Sequence, residues 1–315
     1  MSKITASSTL FTPNLVAEMF NKVKGHSSLA KLSGASPMPF AGIDTFIFSM
    51  DGEASIVGEG GNKPAGEAAF ENVTIKPIKF VYQHRVTDEF SKLSNEKQLP
   101  YLEAFSDGFA KKIARALDIA AIHGVNPYDG AVSSTVGNNC FDKAVTLKTA
   151  FTAGFADDNI DAAAALIQTA GGDISGIAMS PAFGAALGAM KTADSHLPIY
   201  PEFRFGANPA SFGGMASDVN NTVSFGSSTD RAIVGDFANA FKWGYAENIP
   251  LEIIEYGDPD GQGDLKRTNQ IVLRSEAYIG WGILNKNSFA IIAETASGSG
   301  SQSGSGTDSA TGKNT

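Results

Sequence analysis

Two strand-like runs flank a glycine-rich segment that has too few apolar residues to bury a core of its own. The segment, SIVGEGGNKPAGEAAF, covers residues 55–70. Residues 45–50 before it have strand-like sequence, and an alternating β-type run covers 73–87 after it. This order predicts a long hairpin with a loose tip that something else must hold. Pro77 limits its part of the second run to a sheet edge, a bulge or a strand boundary.

The same segment is a candidate phosphate-binding loop, because four of its residues are glycines and one is Lys63. A GxxxxGK[ST] loop needs its lysine directly after the last glycine, followed by a hydroxyl at the start of a helix. Here Asn62 separates the preceding glycine from Lys63. Pro64 stands where the hydroxyl should be, and β-type sequence follows. The pattern therefore argues against a nucleotide-binding enzyme.

Composition predicts a globular, acidic chain. Of 315 residues, 43% are hydrophobic and 18% are charged, which excludes the disordered class. A formal net charge of −9 argues against a protein whose main task is to bind nucleic-acid phosphates. Cys140 is the single cysteine, which excludes internal disulfides and cysteine-rich metal sites. Neither a secretory signal nor an apolar run of membrane-span length is found, so we expect a soluble protein made in the cytoplasm.

The clearest predicted element is a long amphipathic helix from Pro100 to His123, stopped by Gly124. Its length is about 35 Å at 1.5 Å per residue. The apolar stripe of this helix consists of Leu102, Phe105, Phe109, Ile113, either Ala116 or Leu117, and Ala120. Thr12-Pro13 predicts a shorter N-terminal helix, whose apolar residues recur from Leu15 to Val23.

The remainder of the chain predicts mixed α and β structure. The predicted helices are 160–170 and 182–191, the second capped by Ser180-Pro181. The predicted strands are 177–179, 232–237, 240–246 and 251–256, followed by two long β runs, 267–279 and 282–293. The final segment, 295–315, is rich in glycine and serine and is predicted to be a flexible tail.

No catalytic constellation is evident in the sequence. The histidines are His26, His84, His123 and His196. None has a partner at metal-ligand spacing, so surface or capping roles are expected for them. Cys140 lacks a CxxC partner and is expected to be a small buried hydrophobe. The acidic turn GDPDGQGD at 257–264 imitates a calcium loop, but a proline interrupts it and no acidic residue closes it. We therefore predict no enzyme activity, cofactor or metal.

The order of these parts resembles the major capsid proteins of tailed bacteriophages, which have the Hong Kong-97-type fold. The resemblance covers residues 10–294. Its most specific pieces are Val57-Gly58-Glu59-Gly60, the strand 75–86, the helix 102–124, Met179-Ser180-Pro181, Val234-Gly235-Asp236-Phe237 and 274–289. It implies an α+β fold and a structural subunit that self-assembles into hexamers and pentamers of an icosahedral head around double-stranded DNA.

The resemblance also implies a division of the chain. The expected parts are an N-terminal arm with a lead-in strand (1–47), an extended E-loop (48–78), a peripheral P-domain with a spine helix (79–125), an axial A-domain (126–248), P-domain return strands (249–294) and the tail (295–315). The E-loop and the arm are expected to lie on neighbouring subunits. The residues expected to make these contacts are Glu59, Lys63, Phe70 and Val73 of the loop, and Phe11 and Phe20 of the arm.

Some members of the family join the E-loop lysine covalently to an asparagine of the adjacent P-domain, with a glutamate as base. The resemblance makes Lys63, Asn269 and Glu276 candidates for this autocatalytic crosslink, since Lys63 lies in the matching Lys-Pro context. The bond needs a lysine made neutral by burial and a carboxylate that takes a proton. The ordinary interpretation is an exposed loop lysine, with Glu276 paired to Arg274 or Arg267.

The partners implied by the resemblance are other copies of the chain, a separate scaffolding protein, a portal, decoration proteins and packaged double-stranded DNA bound without sequence specificity. No membrane partner is expected. The acidic balance suits a container that holds DNA without binding it tightly. An encapsulin-type compartment shell is the alternative with the same fold. A cytoplasmic enzyme or nucleotide-binding protein is the distant alternative.

Overall fold

The computed structural model describes residues 26–51, 54–63, 65, 67–89, 95–246 and 251–295. The predicted N-terminal helix, with Phe11 and Phe20, and nearly all of the predicted tail lie outside these residues. The helices are α1 (Ser28–Leu32), α2 (Asn95–His123), α3 (Phe141–Ala144), α4 (Ala156–Thr169) and α5 (Pro181–Ala189). The strands are β1 (Ile43–Asp51), β2 (Glu67–Ile75), β3 (Ile78–Thr87), β4 (Lys148–Ala150), β5 (Gly176–Met179), β6 (Ser211–Phe212), β7 (Met215–Val219), β8 (Asp230–Gly235), β9 (Phe241–Tyr245), β10 (Leu251–Ile254), β11 (Gln270–Ile283) and β12 (Phe289–Ala293).

Strands β1 and β2 form the predicted hairpin, and they make an antiparallel two-stranded sheet of their own. The register runs from Ile43 opposite Ile75 at the base to Asp51 opposite Glu67 near the tip. The second arm begins at Glu67, six residues before the predicted start, because pairing with β1 extends it beyond the clearly alternating sequence. Pro77 lies between β2 and β3, so it marks a strand boundary.

A four-stranded antiparallel sheet, which we call the first sheet, is organised around β11. Along its 14 residues β11 pairs with β3, β10 and β9. The apolar side of α2 packs against this sheet, where Leu102 and Phe105 form a buried cluster with Leu273. The larger core cluster extends from α2, at Phe109 and Leu117, towards the rest of the fold.

The prediction of two long β runs separated near residue 280 is wrong, because β11 continues without interruption through Gly280 and Gly282. These two glycines are sites of close packing. A Cβ on Gly280 would lie 2.4 Å from the sulfur of Met38, and one on Gly282 would lie 2.7 Å from Cγ1 of Ile75. Because these two glycines have no side chains, Met38 and Ile75 at the base of the hairpin can pack directly on β11.

A six-stranded mixed sheet, the second sheet, has the strand order β4-β12-β8-β5-β7-β6. Helices α4 and α5 pack on it, and their buried side chains Ile160, Ile167 and Phe183 join Val234 and Ile292 in one hydrophobic cluster. The last two strands of the chain divide between the sheets, because β11 lies in the first sheet and β12 in the second. The chain thus crosses between the two sheets immediately after Ile283.

Helix α2 confirms the predicted stripe and the predicted end, but its predicted start is wrong. It begins at Asn95, so Pro100 lies inside it, not at its first position. Near a helix start a proline loses one backbone hydrogen bond, which the burial of the stripe outweighs. His123 is the last helical residue, and Gly124 follows with φ of +68°, a conformation that favours glycine.

The predicted elements of the middle region are present with shifted ends. Helix α4 begins four residues before the predicted start, and in α5 the Ser180 Oγ accepts the Phe183 N–H at 3.3 Å, as expected of a helix cap. The five-residue helix α1 was not predicted, because it is too short to show a helical period. Within the described residues, no helix has both the length and the apolarity to cross a bilayer.

Candidate functional site

The hairpin tip, residues 54–63, exposes apolar side chains. Ile56 is fully exposed and Val57 is 38% exposed. The Gly61 N–H donates to the Gly58 carbonyl at 3.0 Å, and Gly60 between them has φ of +81°. A turn of this kind needs a positive φ at its third residue, which explains the glycine without a phosphate ligand.

The base of the hairpin is held by Ile75, which is 1% exposed and packs where Gly280 and Gly282 lack side chains. Val73, a predicted contact residue, is half-buried and lies 3.8 Å from the position of a Gly282 Cβ. Phe70 pairs with Phe48 in the register, and the surroundings of its side chain lie outside the described part of the structure. Ile75 is not among the contact residues predicted from the sequence, although it is the last apolar residue before the strand boundary.

The structure does not bring the three crosslink candidates together within one chain. Lys63 is exposed in the tip, as is Glu59, whereas Asn269 directly precedes β11 and Glu276 lies inside it. Seven residues of extended chain separate Asn269 from Glu276 by about 23 Å. Glu276 pairs with Lys79 Nζ at 2.7 Å, and this hydrogen bond raises the pKa of Lys79. A crosslink would have to combine residues from different chains, and it stays a prediction.

The acidic turn 257–264 holds an arginine of the same chain. The Nε of Arg85 donates to Asp260 at 2.8 Å, and its Nη2 donates to the other Asp260 oxygen and, at 2.8 Å, to the Gly263 carbonyl. Arg85 also approaches Asp258 at 3.4 Å. The hydrogen bond from Arg85 lowers the pKa of Asp260 to about 2. A guanidinium therefore occupies the place that the calcium-loop pattern suggested for a metal.

A buried carboxylate holds α1 against α2. Both oxygens of Asp118, which is 0% exposed, accept hydrogen bonds. The donors are Ser27 Oγ at 2.5 Å, the Ser28 N–H at 2.9 Å, the Leu29 N–H at 3.3 Å and Thr222 Oγ1 at 2.8 Å. Burial raises the pKa of Asp118 to about 6 although these hydrogen bonds oppose the shift.

Asp218 on β7 holds α1 from the other side. It accepts hydrogen bonds from Ser28 Oγ and from Lys31 Nζ, both at 2.6 Å. The short helix is therefore fixed between α2 and the second sheet by two carboxylates. Asp118 is the carboxylate at the N-terminus of α1. Its position is favourable, because it accepts backbone N–H groups that the helix leaves free.

A second buried cluster, which we call the His123 cluster, consists of His123, Asp142 and Asp230. His123 Nδ1 lies 2.9 Å from Asp142 Oδ2 and 3.8 Å from Asp230 Oδ2. Burial lowers the pKa of His123, but the hydrogen bond with Asp142 outweighs burial, so the pKa lies above its ordinary value. Burial and the neighbouring Asp142 raise the pKa of Asp230 to about 7.

The surface or capping role predicted for His123 is therefore wrong, because the side chain is 4% exposed. Its partners are distant in sequence, so no spacing rule reveals them. His26 and His196 are exposed as expected, and His84 hydrogen-bonds to the Tyr101 hydroxyl at 2.8 Å. Cys140 is buried as predicted, and burial raises the pKa of its thiol.

The sequence matches the family model described as "Phage capsid family" over residues 10–293, nearly the whole chain. The chain belongs to the phage capsid family. It is a structural major capsid protein, as the order of its parts predicted, and the match does not favour an encapsulin-type shell. The proteins of this family are structural proteins of the virion capsid.

Solved structures agree with this assignment. One from Mycobacterium phage Ogopogo has a TM-score of 0.73 and 31% identity, covering 86% of this chain and 92% of that chain. One from Gordonia phage Cozz has a TM-score of 0.71 and 27% identity, covering 86% and 87%. The capsid of a native GTA particle shares the fold alone, with a TM-score of 0.61 and 14% identity over 85% and 90%. The predicted Hong Kong-97-type fold is confirmed. No curated protein matches the sequence.

The capsid protein has an open groove, which we call the lateral groove, between β3, α2 and the loop 125–136. Its volume is about 830 Å³. Four of its apolar or aromatic side chains are exposed: Val81 (47%), Tyr82 (38%), Tyr128 (94%) and Val132 (73%). Exposed Lys112 on α2 adds a positive charge to the lining. A surface of this kind on a protein that assembles from copies of itself is a candidate subunit contact.

Proposed function

We propose that this major capsid protein builds an icosahedral shell of hexamers and pentamers around double-stranded DNA, with each hairpin lying on a neighbouring copy. The observation that carries the proposal is the hairpin, which is a two-stranded sheet of its own with a fully exposed isoleucine in its tip. A two-stranded hairpin is at best marginally stable in water. The tip therefore gains its burial from a second subunit.

The lateral groove is the surface that suits this tip best. Ile56 and Val57 bring apolar side chains that match the exposed valines and tyrosines of the groove. Glu59 of the same tip brings a negative charge that Lys112 complements. Charge pairs at the rim of an interface set register and orientation, whereas the apolar contacts supply most of the free energy.

We assign the two sheets to the two domains expected for the family. The first sheet with α2 corresponds to the P-domain, and the second sheet with α4 and α5 corresponds to the A-domain. Two strands belong with a different domain from the one that the expected boundaries, 126–248 and 249–294, give them. Strand β9 pairs with β11 and belongs with the first sheet, whereas β12 pairs with β8 and belongs with the second.

The shell would contain DNA without binding it tightly, since the chain has a formal net charge of −9. Assembly in the host cytoplasm with a scaffolding protein, a portal and decoration proteins belongs to the same proposal. Nucleic acid and protein extracted from purified particles separate this function from the encapsulin alternative. Double-stranded DNA is expected inside, and an enzyme cargo without DNA would contradict the proposal.

The hairpin contact is tested with Ile56→Asp, which places a charge on the apolar tip. Sedimentation velocity and negative-stain microscopy should show particles for the natural chain and unassembled subunits for the variant. Ser55→Asp is the matched control, because it adds the same charge at the neighbouring exposed residue without removing an apolar contact. Tryptophan fluorescence checks that both variants fold. Normal particles from Ile56→Asp would refute the contact.

The crosslink prediction has its own test, since a covalent bond between subunits survives boiling in SDS. A ladder of oligomers that disappears in Lys63→Arg would support the bond. A single band at the 32.8 kDa of the monomer would rule it out.

A further inference from the structure

The His123 cluster joins three separate elements of the fold. His123 is the last residue of α2, Asp142 lies in the first turn of α3, and Asp230 is the first residue of β8. One ligand atom from each residue lies within 4.8 Å of the others. The side chains of His123 and Asp230 are 4% and 7% exposed, and that of Asp142 is 30% exposed. The cluster therefore has the donors, the spacing and the burial of a small ligand site.

Two carboxylate oxygens in this cluster lack hydrogen-bond partners among the described residues. They are Asp142 Oδ1 and Asp230 Oδ2. Asp230 is more than nine-tenths buried, and its Oδ2 faces the imidazole at 3.8 Å, which is too long for a hydrogen bond. A buried carboxylate oxygen without a partner is costly. A proton shared between the Asp142 and Asp230 carboxyl groups is one way to satisfy these oxygens, and a bound cation that replaces the proton is the other.

The contact of the other imidazole nitrogen orients His123 for such a role. His123 Nε2 lies 3.0 Å from the carbonyl oxygen of Thr222, so it donates its N–H there. Nδ1 faces Asp142 at 2.9 Å, so a cation that displaced the proton between them would find the Nδ1 lone pair directed at both carboxylates. Metal-binding histidines commonly have this second contact, which fixes the tautomer and the ring orientation.

Donor type and distance together select the ion. Ligands about 2.0 Å from a tetrahedral Zn²⁺ lie about 3.3 Å from one another, and the observed separations from Nδ1, 2.9 and 3.8 Å, lie on either side of that value. Calcium and magnesium prefer oxygen ligands alone, whereas an imidazole with two carboxylates suits zinc. We propose that His123, Asp142 and Asp230 bind one Zn²⁺ ion per chain, with water as the fourth ligand.

The ion would act as a structural link in the capsid subunit. It would neutralise the two carboxylates and tie the end of α2, which packs on the first sheet, to β8 of the second sheet. The proposal does not depend on the shell geometry or on the hairpin contact, since all three ligands belong to one chain.

The test uses the full-length subunit, stripped with EDTA and then dialysed against Zn²⁺, with bound metal measured by mass spectrometry. The natural chain is expected to bind one Zn²⁺ and to unfold at a higher temperature with Zn²⁺ than with EDTA. Asp230→Asn is expected to weaken binding by about 100-fold or more, since even residues that only orient the metal ligands change affinity about 10- to 100-fold. Its unfolding temperature should not respond to the metal.

His196→Ala is the matched control, because it removes an exposed histidine outside the cluster. It should bind Zn²⁺ as the natural chain does. Asp142→Asn, at the most exposed of the three ligands, serves as a second variant if Asp230→Asn does not fold. Substitution of Co²⁺ should give the visible absorption of a tetrahedral site in the natural chain and in His196→Ala, and not in Asp230→Asn. No bound Zn²⁺ in the natural chain, or equal binding by a folded Asp230→Asn or Asp142→Asn variant, would overturn the proposal.

Discussion

Replacing Asp118 by asparagine tests the buried carboxylate that holds α1 against α2. Its two oxygens accept four hydrogen bonds, two of them from the backbone N–H groups of Ser28 and Leu29. Asparagine has one acceptor oxygen, and its amide group would face a backbone N–H that cannot turn away. A buried donor without an acceptor costs about 1–3 kcal/mol. We therefore expect Asp118→Asn to lower the free energy of unfolding at pH 7.

The pH dependence gives a sharper magnitude. Burial raises the folded-state pKa of Asp118 from 3.8 to about 6. Between these values the folded chain holds a proton that the unfolded chain has lost, so this group adds stability as the pH falls through 6. Relative to an unfolded pKa of 3.8, the gain is small at pH 7 and on the order of 1 kcal/mol at pH 5. The asparagine variant lacks this gain, so its loss of unfolding free energy should be about 1 kcal/mol larger at pH 5 than at pH 7.

Urea unfolding of unassembled subunits, followed by tryptophan fluorescence at pH 5 and pH 7, measures this difference. Trp243 and Trp281 are buried, and Trp243 Nε1 donates to the Ser33 carbonyl just after α1, so the probe senses this region. Other groups that titrate in this range are common to both proteins and cancel. Exposed Asp161→Asn is the control, with no expected change in its loss of unfolding free energy between the two pH values. The reasoning would be refuted by a loss of unfolding free energy in Asp118→Asn that is the same or smaller at pH 5 than at pH 7.

Three further substitutions test close packing, helix propensity and the acidic turn. Gly244→Ala should abolish the soluble, folded subunit, since its Cβ would lie 1.9 Å from the Ser36 carbonyl oxygen; normal yield and fluorescence would contradict this. Gly108→Ala, at an open position of α2, should raise the free energy of unfolding by about 1 kcal/mol in thermal melts. Arg85→Lys should increase hydrogen exchange across 257–264, because lysine cannot keep both contacts with Asp260; unchanged exchange would argue against that pairing.

Local pattern was sufficient for much of the fold. The stripe of α2 and the stop at Gly124 were predictable because helical burial repeats with the helical period, and glycine alone adopts a positive φ without strain. The hairpin was predictable because two strand-like runs enclosed a segment without a core. The order of these parts was also sufficient to indicate the capsid family, which the match over residues 10–293 confirms.

Strand boundaries and sheet membership were less predictable. Gly280 and Gly282 suggested a break in sequence, yet they continue β11 because Met38 and Ile75 fill the space of their missing side chains. The division of β11 and β12 between two sheets depends on which distant strands they pair with. Neither effect leaves a signal within the segment itself, since the deciding neighbours lie elsewhere in the chain.

The sequence by itself determined the periodic helices, the hairpin, the acidic composition and the family. Only the tertiary structure decided what the polar residues do. It placed Arg85 inside the acidic turn and gathered His123, Asp142 and Asp230 from the ends of three elements. Periodicity records which side of an element is buried, whereas a polar cluster depends on side chains that meet across the fold. Such meetings follow from packing between elements, and no spacing along the chain encodes them.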